Sequence, residues 1–445
     1  MCFGFARKRA FCRVLCDKKG KWKFLSTEER KEGYLLNLTK ENKALSPVLL
    51  VVLCTVTYFV SYITRINYGA VLLEMQNATG FSNEQLSLAV TGLSIFYGAG
   101  QLLSGYLGDR IRPRFLISAG LCTTALMNFL LPFCSNIPCI TAAWCVNGLA
   151  QAMMWPPIVK VLSASLDSDG YKKACVKVCY GSALGTVSVY AFAPLLIHLA
   201  GWKSMFFVSA FSAAVMACVV LFKMPDVKKS TEIAAQKASA SAVSVQKAAL
   251  PIGLLILIMP PIILQGALRD GVQTWMPTYV KNVFHLESGI AILTCVLMPI
   301  FGLICNEFAA FVNRKWIRNE LLCACSFFGV AMIAAILLSF FHDGNVIAAV
   351  LLATVLTGCM HGVNVIFTCM IPPYFASNGK VSFVSGLLNS MTYVGSALSG
   401  YGFAALSTSF GWYFTVWSWA AICVAAVALC LIAAKPWGNF SRVEK

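Results

Sequence analysis

Charge is what this sequence has least of. Only 12% of its 445 residues are Asp, Glu, Lys or Arg, and only four are His. Ordinary soluble domains carry about 25% charged residues, so most of this chain has no means of facing water. No G-x-x-x-x-G-K-[ST] stretch occurs among its 32 glycines, which argues against a built-in P-loop nucleotide motor. No nucleophile and base form a recognisable set, so no catalytic residue is assigned and enzyme activity is not expected. Cys2, Cys12 and Cys16 lack zinc spacing and a His partner, and neither a metal nor a cofactor is expected. The alternating ten-residue pattern of a membrane β-barrel is missing, as is a cleavable signal pattern near residue 1.

What is present is apolar. Hydrophobic residues make up 58% of the chain, and the mean hydropathy is +0.74. A helix needs about 20 apolar residues to cross the hydrocarbon core, where backbone groups must be satisfied internally. Runs of that kind fall at 48–75, 85–108, 114–133, 140–165, 174–199 and 203–223. Six more follow at 250–280, 288–312, 320–341, 345–373, 382–406 and 411–434. The expectation is an all-α membrane protein of twelve transmembrane helices in two pseudo-symmetric six-helix bundles, 48–223 and 250–434. Residues 1–47 read as a basic cytosolic tail, either disordered or drawn to anionic lipid. The Lys-, Ser- and Ala-rich stretch 224–249 reads as a cytosolic linker with some helix, and 435–445 as a cytosolic C-terminal tail. Two such halves are the pattern of carriers whose site lies between them at mid-membrane depth.

The formal net charge of +17 follows from topology rather than from a nucleic-acid partner. With both termini cytosolic, all but four of the 35 Lys and Arg fall on the cytosolic side, as the positive-inside bias requires. Lys203 and Lys281 face the other side. Arg65 and Arg269 fall inside predicted spans. Most of the 19 Cys lie in spans as small apolar residues; Cys134 and Cys139, on a predicted outer loop, can form a disulfide. The chain is expected to be a multi-pass protein of the cell membrane, surrounded by lipid and working as a monomer.

An arginine at mid-membrane costs about 2.5–3.5 kcal/mol on insertion scales, so two of them need a compensating role. Arg65 lies in the first helix of the first half and Arg269 in the first helix of the second. A pseudo-two-fold axis brings them toward each other across a central cavity, where two guanidiniums suit a dianion. Tyr58, Tyr62 and Arg65 stand at i, i+4 and i+7 on one stripe, and Gln265, Arg269 and Gln273 form another. Guanidinium matches phosphate oxygens in two-point contact, which favours an organic or inorganic phosphate as the small anionic partner. Asp270 is adjacent to Arg269, but helix neighbours point about 100° apart, so the two are not expected to pair.

These residues sit in stretches that resemble the organophosphate:inorganic phosphate antiporter family of the major facilitator superfamily. "GYLGDRIRPR", residues 105–114, resembles the superfamily's G-x-x-x-D-R-x-x-x-R gating motif. The resemblance implies that Asp109 meets a helix N-terminus or a basic partner while Arg110 and Arg114 face the cytosol. "NGLAQAMMWPPIVK" (147–160), "RDGVQTWMPTYV" (269–280) and "YFVSYITRIN" (58–67) resemble family patterns on helices four, seven and one. The likeness covers about residues 48–434. It implies the major facilitator fold, Arg65 and Arg269 as paired phosphate-binding arginines, and Tyr58, Tyr62, Tyr97 and Tyr393 as cavity tyrosines. Departures surround this clamp. A histidine of glycerol-3-phosphate carriers is Ala183 here, a lysine is Gln101, a basic and acidic pair is Ile66 and Thr274, and a tyrosine is His361. Gln101 and His361 are therefore included among the substrate-binding candidates.

The function expected is exchange of an organic phosphate, or a related organic anion, for inorganic phosphate by alternating access. Two other readings stay open. One is a sugar-phosphate sensor that signals to a partner. The other is a proton-coupled organic anion symporter, for which Asp270 and Glu307 are the membrane carboxylates.

Overall fold

The computed structural model describes residues 15–16, 22–23, 45–225, 250–285, 297–341 and 343–443. Most of the 1–47 tail and nearly all of the 224–249 linker lie outside the described residues. Within the tail, Leu15–Cys16 and Trp22–Lys23 pair as a two-residue antiparallel ladder. The rest of the description is helical.

The first half runs α1 Pro47–Ala70, α2 Asn83–Arg110, α3 Pro113–Leu130, α4 Ile137–Ser165, α5 Ser168–Ala200 and α6 Lys203–Lys223. In the second half come α7 Ile252–Phe284, α8 Leu297–Lys315, α9 Glu320–Phe340 and α10 Val346–Val365, then one helical run, Val381–Val443. That run breaks only at Gly411, whose φ of 80° lies in the left-handed region, where glycine carries no steric penalty. We label its parts α11 (381–410) and α12 (412–443). The loop expected before residue 411 is thus a single non-helical residue. Helix α12 also extends past the expected end at 434, burying Trp437 completely.

Starts and stops are written locally. Ser82 and Gln85 form a capping box at α2, and the side chains of Asn136, Asn319 and Asn345 cap α4, α9 and α10. Helix α4 breaks at Met153–Met154 and restarts at Trp155, with prolines in its first turn, where a missing N–H costs nothing. Helix α10 is interrupted in the corresponding place: a π-turn over Ile366–Met370 leads into Pro372–Phe375.

Helix pairing repeats between halves. Helix α1 packs on α5 and α6, α2 on α4, and α3 on α4 and α6; α7 packs on α10 and α11, α8 on α10, and α9 on α10 and the α11–α12 run. Across the halves, α2 packs on α11 and α5 on α8, a pair of contacts related by the same two-fold. The crossing is tied at the end that carries Arg110, Lys160, Lys172 and Arg314, here called the basic end. There Tyr171 Oη donates to the Cys369 carbonyl at 2.5 Å, and Tyr180 Oη to Glu307 at 2.8 Å. Lys172 Nζ donates to Asn313 Oδ1 at 2.6 Å and lies 3.8 Å from Glu320. On the far side of this seam, a cavity of about 320 Å³ reaches from Arg65 and Tyr97 toward Gly69, near the opposite end of α1. Near that end the Cys134 and Cys139 sulfurs stand 2.8 Å apart as two thiols.

Candidate functional site

Helix α1 presents its tyrosines and Arg65 as a stack. The Tyr58 and Tyr62 ring centroids are 5.1 Å apart, and Tyr58 also packs on Trp155 at 5.2 Å. The Arg65 guanidinium lies 4.4 Å from the Tyr62 ring and 4.9 Å from the Tyr97 ring. Tyr97 in turn meets Tyr393 of α11 edge-on at 4.8 Å. Aromatic faces carry negative charge density and stabilise a desolvated cation by about 0.5–2 kcal/mol each.

The position of Arg65 is fixed from behind, by a network that the sequence reading did not identify. Asn147 Nδ2 and Asn128 Nδ2 donate to the Thr64 carbonyl at 3.1 and 3.2 Å, and Gln151 Nε2 donates to Thr64 Oγ1 at 2.7 Å. Asn67 adds bonds to Asn128 Oδ1 (2.7 Å) and Ser209 Oγ (2.9 Å). All six residues are buried. Two amides one turn apart, Asn147 and Gln151, stand in an otherwise apolar run, and that spacing was the available signal.

Arg269 is held differently. Its Nε and Nη2 donate to the two carboxylate oxygens of Asp270 at 2.6 and 2.8 Å. This overturns the expectation that adjacent helix residues would not pair. Diverging Cα–Cβ bonds constrain short side chains, whereas arginine has enough rotatable bonds to fold its fork back across the helix. Ser396 Oγ of α11 donates to the same carboxylate. Gln265 does not join a polar stripe with Arg269; it is fully buried and donates to the Met360 carbonyl of α10 at 3.0 Å.

The two arginines share neighbours. Tyr62 of α1 and Tyr393 of α11 are each within electrostatic range of both guanidiniums. His361 of α10 packs against Gly302, lies within range of Arg269 and Asp270, and has no hydrogen-bond partner at Nε2. Gln101 is fully buried on α2, with neither amide atom bonded.

At the basic end, Asp109 accepts from the backbone N–H of Ser382 (3.0 Å) and Phe383 (2.9 Å), at the start of α11. A carboxylate there satisfies orphan donors and meets the positive end of the helix dipole. Lys160, which follows the two prolines of α4, donates to the Gly108 carbonyl at 2.7 Å beside it. Arg110 stays on its own helix, 3.5 Å from the Tyr106 ring, and Arg114 lies 4.8 Å from the Phe115 ring. Asp109 thus makes a contact between the halves.

Comparison with known proteins agrees with this architecture. The chain is 24% identical over 173 residues to a probable hexose phosphate transport protein of Chlamydia muridarum, covering 39% of this chain and 38% of that one. It is 26% identical over 175 residues to the glycerol-3-phosphate transporter of Bacillus subtilis, covering 38% and 39%. The matched stretch thus spans under two fifths of each of these relatives. The E. coli fucose:proton symporter superimposes with a TM-score of 0.65 at 13% identity, over 90% of this chain and 100% of that one, a likeness of fold. The family model for the Major Facilitator Superfamily matches residues 54–400, and the chain belongs to that superfamily.

Proposed function

We propose that this protein is a secondary carrier that binds a phosphorylated small molecule, or a related organic anion, between Arg65 and Arg269 and exchanges it for inorganic phosphate. One observation carries this reading. The first helix of each bundle contributes one guanidinium to the space around Tyr62 and Tyr393, here called the chamber, with both rings within range of both charges; Arg65 and Tyr393, but not Arg269, line the cavity that opens away from the basic end. Guanidinium forks recognise phosphate oxygens in two-point contact. The likeness to relatives named for hexose phosphate and glycerol-3-phosphate supports a phosphorylated substrate.

In the mechanism we infer, Tyr58, Tyr62, Tyr97 and Tyr393 line the anion's path, while Gln101 and His361 offer unpaired polar atoms to the organic part of the substrate. The basic end is cytosolic by the excess of Lys and Arg there, and Asp109 latches it by capping α11. Anion entering from the far side bridges the bundles. It neutralises charge that otherwise opposes closure of the cavity, so an occupied carrier turns over and an empty one resists.

Proteoliposomes loaded with inorganic phosphate test the reading. External labelled phosphate, hexose phosphate or glycerol phosphate should enter only when the lumen holds a counter-anion, without ATP. Uptake into vesicles containing no counter-anion, at the same rate, would contradict exchange.

A further inference from the structure

The two arginines are not equivalent. Arg65 faces rings, and among the described residues no carboxylate pairs with it. Arg269 has Nε and Nη2 spent on Asp270, and Ser396 holds the carboxylate from the other side. The resemblance implies roles for Arg65 and Arg269 and none for Asp270. With the Arg269–Asp270 pair intact, the chamber carries one net positive charge rather than two.

A phosphate dianion that engages both guanidiniums must take the Arg269 fork from Asp270. The freed carboxylate would then lie next to the dianion, deprived of its partner, in a space of low dielectric. Two like charges in such a space cannot both persist, and a carboxylate so placed binds a proton. The Asp270 side chain has access for that proton: 32% of its surface is exposed, against 11% for Arg269. We propose that Asp270 is a proton-binding site coupled to anion binding: it holds Arg269 in the empty carrier, and it becomes a neutral carboxylic acid when an anion displaces it.

The step balances simply. One proton from water reaching the cavity adds to one carboxylate, no bond of the substrate changes, and the proton leaves when Arg269 is recaptured. A dianion and a proton together bring one negative charge, which matches the chamber. Every packed element supplies groups that bear on this carboxylate: Arg269 from α7, Ser396 and Tyr393 from α11, and His361 from α10. Tyr62 of α1 reaches Arg269. His361 is the rival proton acceptor, since its Nε2 is unpaired. The inference rests on the proposed anion site and adds to it the coupling ion.

Calorimetry on the purified full-length protein tests it, with inorganic phosphate and glycerol phosphate as probes at pH 6 and pH 8. Buffers of different ionisation enthalpy report the protons taken up. Phosphate titrates in this range itself, but that contribution is common to all variants and cancels in the comparison. The wild type should take up about one proton more per anion than Asp270→Asn, and His361→Gln should retain that uptake. Asp270→Asn should bind at least ten-fold tighter than wild type at pH 8, because Arg269 is no longer occupied. Should Asp270→Asn not fold, Ser396→Ala serves. Loss of its hydroxyl makes the carboxylate easier to protonate, so the fall of affinity with rising pH should move to higher pH. Equal proton uptake in wild type and Asp270→Asn overturns the proposal, as does a His361→Gln variant that binds inorganic phosphate without the uptake, or no movement of the profile in Ser396→Ala. If neither anion binds the wild type at any pH, the anion site itself is absent and both readings fall together.

Discussion

Gln151 Nε2 donates to Thr64 Oγ1 at 2.7 Å, one residue before Arg65. The amide of α4 thereby sets the rotation and depth of α1 where its guanidinium enters the chamber. Thr64 Oγ1 keeps its own donation to the Ser61 carbonyl at 2.9 Å, so the loss is that of one buried hydrogen bond, about 0.5–1.5 kcal/mol. Gln151→Leu should therefore weaken phosphate binding roughly three- to ten-fold, with Arg65 still charged, as read by calorimetry. Unchanged affinity together with a lowered melting temperature would show that the network serves packing alone.

Asp109 caps α11 across the seam. Removing a charge from a helix N-terminus costs about 0.3–2 kcal/mol, so Asp109→Asn should populate states open at the basic end. Ser382→Cys, fully buried at that contact, is the reporter. Its labelling by a water-soluble maleimide should speed up several-fold in the Asp109→Asn background. Equal labelling rates would mean that the seam is held elsewhere.

Glu320 has a relative exposure of 0% and accepts from Tyr374 Oη and Trp437 Nε1, both at 2.8 Å, with Lys172 at 3.8 Å. It joins α5, α9, the Pro372–Phe375 turn that follows α10, and α12 at one carboxylate. Breaking a buried network by removing one member costs about 3–5 kcal/mol. Glu320→Ala should lower the thermal midpoint markedly more than Lys172→Ala, whose side chain is 13% exposed. Equal shifts would argue that Lys172, rather than the Tyr374 and Trp437 donors, sets the value of this carboxylate.

Gly395 brings α11 against α7: a Cβ there would lie 1.9 Å from the Ile263 carbonyl oxygen. Backbone cannot yield as a side chain does, so Gly395→Ala should push apart the two helices that carry Arg269, Tyr393 and Ser396. Loss of both thermal stability and anion binding is expected, measured on detergent-purified protein. A variant that binds phosphate normally would show that the approach is dispensable.

The sequence made the gross architecture legible because membrane solvation leaves few options. Apolar runs of fixed length became helices, and Arg65 and Arg269 stood out as charges with no oil-compatible explanation. Asp109 at a helix N-terminus followed from its motif. What stayed hidden depended on side-chain reach. Asp270 was set aside because Cβ directions diverge by about 100°, yet arginine's length closed the pair. The amides around Thr64 come from α1, α3 and α4, and their register against one another is a packing result. Glu320, 54 residues from Tyr374 and 117 from Trp437, became a hub only once α12 continued past residue 434. The paired prolines at 156–157 and 372–373 were a readable internal repeat, marking equivalent breaks in α4 and α10.

The central claim is that one anion is held by one guanidinium from each bundle, and a double-mutant cycle in phosphate binding tests it most directly. Arg65→Lys and Arg269→Lys each replace a planar fork by a point charge. The account predicts that each single variant loses at least ten-fold in affinity. It also predicts that the double variant is little worse than either single one, because groups that act on one ligand as a unit are non-additive. Wild-type affinity in either variant, or losses that simply multiply in the double, would contradict a shared clamp.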